Sequence, residues 1–308
     1  MADRVEWMIY GANGYTGHLV AVEARRQGLH PVLAGRRSGP IETLAAELSL
    51  PARVFDLGDA QSATAALVDM AVVAHCAGPF AATSAQMIDA CLTSRTHYLD
   101  ITGELDVFLA AQRRDADAQA AGIVICPGVG FDVIPTDCLA SVLNEALPDA
   151  TQLILAFDAG AHVSPGTART MAESFRLGRR GGRVRRNGVI EEVPLAHSRR
   201  SIEFAGGSAM TVAIAWGDLR SDWVAAFRRN RWPPCFGFRR QIIETPRTGR
   251  TRGSKAGILY NEHIAEDRPT VFAHACRLES KLAKLGRGFR RGGHALAILA
   301  QQRRAIEP

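Results

Sequence analysis

Along the first 130 residues, short apolar runs alternate with longer segments whose apolar positions recur every three or four residues. Trp7-Met8-Ile9-Tyr10, His30–Ala34, Ala52–Asp56, Ala71–Cys76, His97–Asp100 and Ile123–Cys126 read as six strands. The intervening helices are marked by their punctuation. The first carries Leu19, Val20, Val22 and Ala24 on its inner side and stops at Gln27-Gly28, and Pro40 opens a second over Ile41–Leu48. A third covers Ser84–Cys91, and a long segment opened by Thr102-Gly103-Glu104 runs through Ala121 to Gly122. Strands and helices alternating at this spacing predict an α/β architecture, a Rossmann-type doubly wound parallel sheet with its ligand at the carboxyl ends of the strands.

The stretch between the first strand and the first helix carries the chemistry. Gly11-Ala12-Asn13-Gly14-Tyr15-Thr16-Gly17 has G-x-x-G-x-x-G spacing. A dinucleotide diphosphate rests against bare backbone N–H groups at a helix N-terminus, where a Cβ would hold it off. In that role Gly11 turns the chain, Gly14 admits the phosphates and Gly17 lets helix and strand approach.

The second strand runs into Gly35-Arg36-Arg37, with no Asp or Glu to bind a ribose 2′-hydroxyl. Two adjacent guanidiniums suit a 2′-phosphate, which points to NADP(H); two solvated arginines are the plainer alternative. Asp56 ends the third strand, either to accept from an adenine amino group or to cap the next helix. After the fourth strand, Ala77-Gly78-Pro79-Phe80 supplies small residues where a nicotinamide ribose needs room, or forms an ordinary turn.

Composition narrows the class. At 308 residues with 47% hydrophobic content, the chain is long enough for about two globular domains. No leader pattern opens it and no apolar run reaches eighteen residues, so a cytoplasmic protein without a membrane span is expected. Six cysteines (Cys76, Cys91, Cys126, Cys138, Cys235 and Cys276) without a C-x-x-C pair imply reduced thiols and no metal. The formal charge of +6 is unevenly spread: residues 1–217 hold 18 Lys and Arg against 23 Asp and Glu, and residues 218–308 hold 19 against 8. No nucleic-acid motif accompanies that basic stretch, so no nucleic-acid partner is expected.

Five ordered blocks resemble the saccharopine dehydrogenase-like oxidoreductases, in particular the bacterial branch that includes trans-acting enoyl reductases. They are Gly11–Gly17, Leu33–Arg36, Cys76–Phe80, Tyr98–Glu104 and Pro127–Asp137. The resemblance implies an NADP-binding domain over residues 1–130, then an α+β domain over 131–218 whose sheet covers the cofactor, with Gly130-Phe131-Asp132 as the hinge. Gln152–Asp158 reads as a strand of that domain, and Ser164–Ala168 is similar to the family's small-residue helix start. Arg176–Arg186 is a basic loop, either solvated or a contact for an acidic carrier. Beyond Asp218 the family pattern disappears. Residues 219–308 show no period of two or 3.6, so this basic tail is either a frameshifted, poorly ordered translation or a lineage-specific extension.

The implied reaction is hydride transfer to or from a C=C (enoyl) or C=N bond of a small-molecule or carrier-bound acyl substrate. The alternative is a member that binds NADP(H) without catalysis, as a redox sensor or a protein inactive for want of its C-terminal part. Tyr98, Asp100, Glu104 and Asp132 are the candidate proton sources, with capping and turn formation as their structural alternatives. A short-chain dehydrogenase's Tyr-x-x-x-Lys pair is excluded, because no lysine precedes Lys255 and Tyr260 is followed at the fourth position by Ile264. The number of subunits is not encoded in these patterns.

Overall fold

Six short strands line up in the order β3-β2-β1-β4-β5-β6, every neighbouring pair parallel. They are β1 (Trp7–Tyr10), β2 (Val32–Gly35), β3 (Ala52–Val54), β4 (Val72–His75), β5 (His97–Asp100) and β6 (Ile125–Cys126). The computed structural model describes residues 6–146, 152–158, 181–186, 189–204, 207–220, 258–264 and 270–274. It divides into two compact units, the first ending at Asp132 and the second beginning at Val133.

In the first unit β1 and β2 feed both faces of the sheet. Met8 and Tyr10 of β1 point into one core with Val73, Tyr98, Met87 and Ile88; Ile9 points into the other with Val20, Leu33, Ile41 and Leu44. Helices α1 (Tyr15–Arg26) and α2 (Ser38–Leu48) supply residues to the second core. α3 (Ala60–Ala65), α4 (Phe80–Ser94), α5 (Leu105–Gln112) and α6 (Asp115–Ala121) supply the first. The strand order reverses between β1 and its neighbours β2 and β4, which is the switch point of a doubly wound sheet and the crevice where such folds bind ligands.

Local details depart from the sequence reading for physical reasons. On α1 the inward residues are Gly17, Val20, Ala21 and Ala24, while Val22 is exposed and Leu19 half-buried. α4 begins four residues earlier than Ser84, because its first N–H groups are satisfied by a carboxylate from a distant loop. The segment after Glu104 is two helices. The break falls at Arg113-Arg114, where Arg114 turns its guanidinium to Asp117 on α6 and Asp89 on α4.

The second unit is built on β7 (Gln152–Asp158), as read, with β8 (Gly182–Arg186), β9 (Val189–Val193), β10 (Arg199–Phe204), β11 (Gly207–Ala213), β12 (Ile258–Ile264) and β13 (Thr270–His274). Its sheet runs β10-β11-β12-β7-β13, with β8 beside β12 and β9. Leu153 and Leu155 of β7 face Ala140 of α7 (Ile134–Ala146), while Ile154 and Ala156 face Ile202 and Ala213. Two readings are corrected here. The end of the expected basic loop, Gly182–Arg186, is a strand hydrogen-bonded to β9. The stretch read as patternless also contributes strands: Ile258-Leu259-Tyr260 and Val271-Phe272-Ala273 are short apolar, β-prone runs with no period to announce them, and they pair with β7 on either side. Residues 164–168 and 176–180, Cys235, Cys276 and the remainder of 221–308 lie outside the described residues.

Candidate functional site

β1 delivers the chain to Gly11, whose φ of +81° is a left-handed turn that L side chains rarely adopt. A Cβ there would lie 2.8 Å from both the Cβ and the N of Ala77. Ala77 is therefore small because Gly11 leans on it, and the loops after β1 and β4 lock together. The Gly11 and Ala12 amides both donate to the Ala34 carbonyl, at 2.7 and 3.1 Å, which ties in β2 as well. A Cβ on Gly17 would sit 2.2 Å from the Gly11 carbonyl oxygen, so the helix can start this close to its strand only with glycine.

Gly14 differs from the other two. It is exposed, extended at φ −79° and ψ 168°, and a Cβ on it would meet nothing nearer than the Gly11 oxygen at 3.2 Å. Gly14 is the N-cap residue of α1, and no side chain caps that helix or places an acid in its first turn. A twelve-residue helix thus presents its positive end, with bare amides, at the rim of the sheet beside the switch point. The cradle fits a diphosphate, and Tyr15 and Thr16 begin the helix at its lip.

Asn13 leans toward β2, its Oδ1 lying 3.3 Å from where a Cβ on Gly35 would stand. Arg36 and Arg37 follow directly, both exposed and neither in an ion pair with a described residue. Asp56 lies outside β3, exposed, and accepts from the Gly58 amide at 2.8 Å in a tight turn. The cap of the following helix is Asp59, which accepts from the Gln61 and Ser62 amides at 3.1 Å, so the capping alternative for Asp56 is corrected. The Tyr10 hydroxyl donates to the Phe55 carbonyl, and its pKa is pushed up to about 12 by burial and then by the Asp56 charge.

Two carboxylates organise the other half of the rim. Asp100 is buried at the end of β5 and accepts three hydrogen bonds, from the Tyr98 hydroxyl at 2.6 Å, the Thr102 amide at 2.9 Å and the Gly128 amide at 2.8 Å. Burial raises its pKa to about 6 against the pull of those three donors; Tyr98, fully buried beside it, is held well above 10 by desolvation and by that charge. Glu104 is half-buried. Its own amide donates to Thr102 Oγ1, and its carboxylate crosses to α4, accepting from the Phe80 amide at 3.0 Å and the Ala81 amide at 2.8 Å. The Asp100–Glu104 segment thereby staples three rim loops, those around Gly78, Gly103 and Gly128. Of the four candidate proton sources, Tyr98, Asp100 and Glu104 are members of this staple. Asp132 is half-buried, and desolvation lifts its pKa to about 6.

Sequence reasoning passed over His75. It is fully buried at the end of β4 between Tyr10, Phe80 and Tyr98. Thr83 Oγ1 lies 2.8 Å from the Ala77 carbonyl, to which it donates, so it accepts from His75 Nε2 at 2.9 Å. That places the ring proton on Nε2, and burial drives the pKa down to about 3. Cys76 and Cys91 are free thiols whose pKa values burial raises, Cys76 to about 12, which makes both poor nucleophiles. Among the described residues, no helix is long and apolar enough to cross a membrane.

Residues 7–126 match the saccharopine dehydrogenase NADP-binding domain. A trans-acting enoyl reductase of Mycobacterium tuberculosis is 27% identical over 190 residues, covering 55% of this chain and 44% of that protein. A saccharopine dehydrogenase-like oxidoreductase of Bos taurus is 30% identical over 151 residues, 42% of this chain and 35% of its own length. The chain thus spans less than half the length of these curated relatives. Among solved structures, the apo saccharopine dehydrogenase (L-Glu forming) of Saccharomyces cerevisiae superposes with a TM-score of 0.50 at 14% identity, over 68% of this chain and 49% of that one, which is a likeness of fold.

Proposed function

We propose that the chain is an NADP(H)-dependent oxidoreductase acting on a C=C (enoyl) or C=N bond of a small-molecule or carrier-bound acyl substrate. The observation that carries this reading is the uncapped start of α1 behind Gly11–Gly17, with two exposed arginines one strand away. Gly11 to Gly17 hold the diphosphate through backbone amides, Arg36 and Arg37 hold the 2′-phosphate, and Asp56 meets the adenine edge. Ala77, Gly78, Pro79 and Phe80 line the nicotinamide end, since the β4–β5 half of such a sheet serves the second mononucleotide. NADPH, when bound, supplies the hydride. Asp132, with its pKa lifted to about 6 by burial, is then the candidate to hold the balancing proton. The enoyl reductase relative supports the C=C version of the substrate.

Binding comes first in the test. NADPH should bind more tightly than NADH, and Arg36→Ala with Arg37→Ala should erase the preference, weakening NADPH by about tenfold to a hundredfold as two charge-assisted contacts are lost. Equal affinity for the two cofactors in the unaltered protein would end the reading. Loss of NADPH absorbance against a panel of enoyl thioesters and imines then separates an enzyme from a non-catalytic NADP(H) sensor.

A further inference from the structure

The role of Glu104 goes beyond fastening two loops. It sits in the connection after β5, yet its carboxylate is spent on the first two amides of α4, a fifteen-residue helix that starts directly after Gly78-Pro79 at the end of β4. The two long helices that begin at the rim beside the switch point are therefore treated oppositely. α1 is left with its positive end bare. α4 has its positive end covered by a full negative charge.

The difference follows the charge of what each end would face. A diphosphate is an anion and wants the bare helix. A nicotinamide ring is a cation when oxidised and neutral when reduced, so a bare helix N-terminus beside it would penalise the oxidised form. Resting on the cofactor reading above, we propose that Glu104 is a positioning residue for the nicotinamide end, holding the Gly78-Pro79 turn and neutralising α4 so that oxidised and reduced NADP are bound with comparable strength. Two features fit this role better than a plain helix cap. The cap comes from a residue 24 positions away, although any Ser, Thr, Asp or Asn in place of Pro79 would cap α4 locally. The same segment is also clamped at Asp100, so the carboxylate is held in place by the Tyr98, Thr102 and Gly128 contacts.

The test compares Glu104→Gln with the unaltered protein. Glutamine keeps a carbonyl oxygen for one α4 amide and removes the charge. Dissociation constants of NADP+ and NADPH are measured by fluorescence titration, and thermal melting checks that each protein is folded. The expected result is a shift of the NADP+ to NADPH dissociation-constant ratio by about fivefold, against NADP+, because the charge is lost and the helix end is unmasked together. Glu104→Asp, whose shorter arm keeps the charge near α4, should move the ratio less than twofold even if both forms bind more weakly. An unchanged ratio in a folded Glu104→Gln protein, or equal weakening of both forms, overturns the proposal. Failure of the unaltered protein to bind either form instead overturns the cofactor reading on which it rests.

Discussion

At the level of single residues, the rim is governed by buried groups whose ionisation is set against solvent. Asp100 is the clearest, because three donors converge on its buried carboxylate. Removing one donor, as in Tyr98→Phe, should cost about 1–3 kcal/mol. The Tyr98 contact favours the charged form of Asp100, so the loss should be greater at pH 8, where the carboxyl is ionised, than at pH 4.5, below its folded value of about 6. Urea unfolding at the two pH values checks this, and an equal loss at both would show that Tyr98 acts by packing alone. His75 works in the opposite sense. Its folded value of about 3 lies below the ordinary 6.5, so its stabilising contribution is whole above pH 6.5 and is lost progressively as pH falls toward 3. His75→Asn should flatten that acid limb of the stability curve while shifting its plateau; an unaltered slope between pH 6.5 and 4 would place the acid sensitivity elsewhere. Neither group was legible as a structural clamp from the sequence. Burial is a property of the assembled sheet, and a histidine at the end of an apolar run reads the same whether its ring faces a core or a ligand.

At the level of elements, what the chain writes locally was readable and what it writes at a distance was not. β5 and β7 have the bounds that their own residues dictate, and Gly28 and Gly122 stop helices with φ of +75° and +71°. The start of α4 was misplaced because its cap is Glu104, and the break between α5 and α6 was missed because Arg114 answers partly to Asp89 on another helix. The glycine pattern was readable because its three glycines fall within seven residues, and Gly17 is demanded there by the Gly11 carbonyl, whereas what crowds Gly11 is Ala77 of a distant loop. That sharpens a prediction about α1. Gly17→Ala places a methyl 2.2 Å from a backbone oxygen that cannot move without shifting β1, so it should destabilise the first unit by about 1–3 kcal/mol and abolish NADPH binding together. Asp59→Ala is the control: it removes the cap of α3, costs about 1 kcal/mol and should leave NADPH affinity unchanged. Retention of full NADPH affinity by a folded Gly17→Ala protein would show that α1 need not lie so close to β1.

At the level of the whole chain, the two sheets differ in how far their partners are separated in sequence. Every strand of the first sheet finds its neighbours within residues 7–126, which is why alternation alone announced it. β7 does not. Its partners on both sides, β12 and β13, come from residues 258–274, a hundred or more positions later and beyond the charge change at residue 218. This arrangement bears directly on whether the basic stretch is a foreign translation. If residues 221–308 form no strands, β7 has no ladder partner and its amides exchange with solvent freely, although Leu153, Ile154, Leu155 and Ala156 are all buried in the sheet. If they belong to the sheet, the β7 amides are protected in the full chain and lose that protection when the chain is cut after Arg220. Hydrogen exchange read peptide by peptide decides between these outcomes, with an internal standard in the same experiment. The amides of β1, β4 and β5, whose partners all precede residue 127, should exchange at the same slow rate in both proteins. Slow exchange in β7 that vanishes on truncation is the expected result, and fast exchange in β7 of the full chain would return the stretch beyond Asp218 to the status of an unrelated tail.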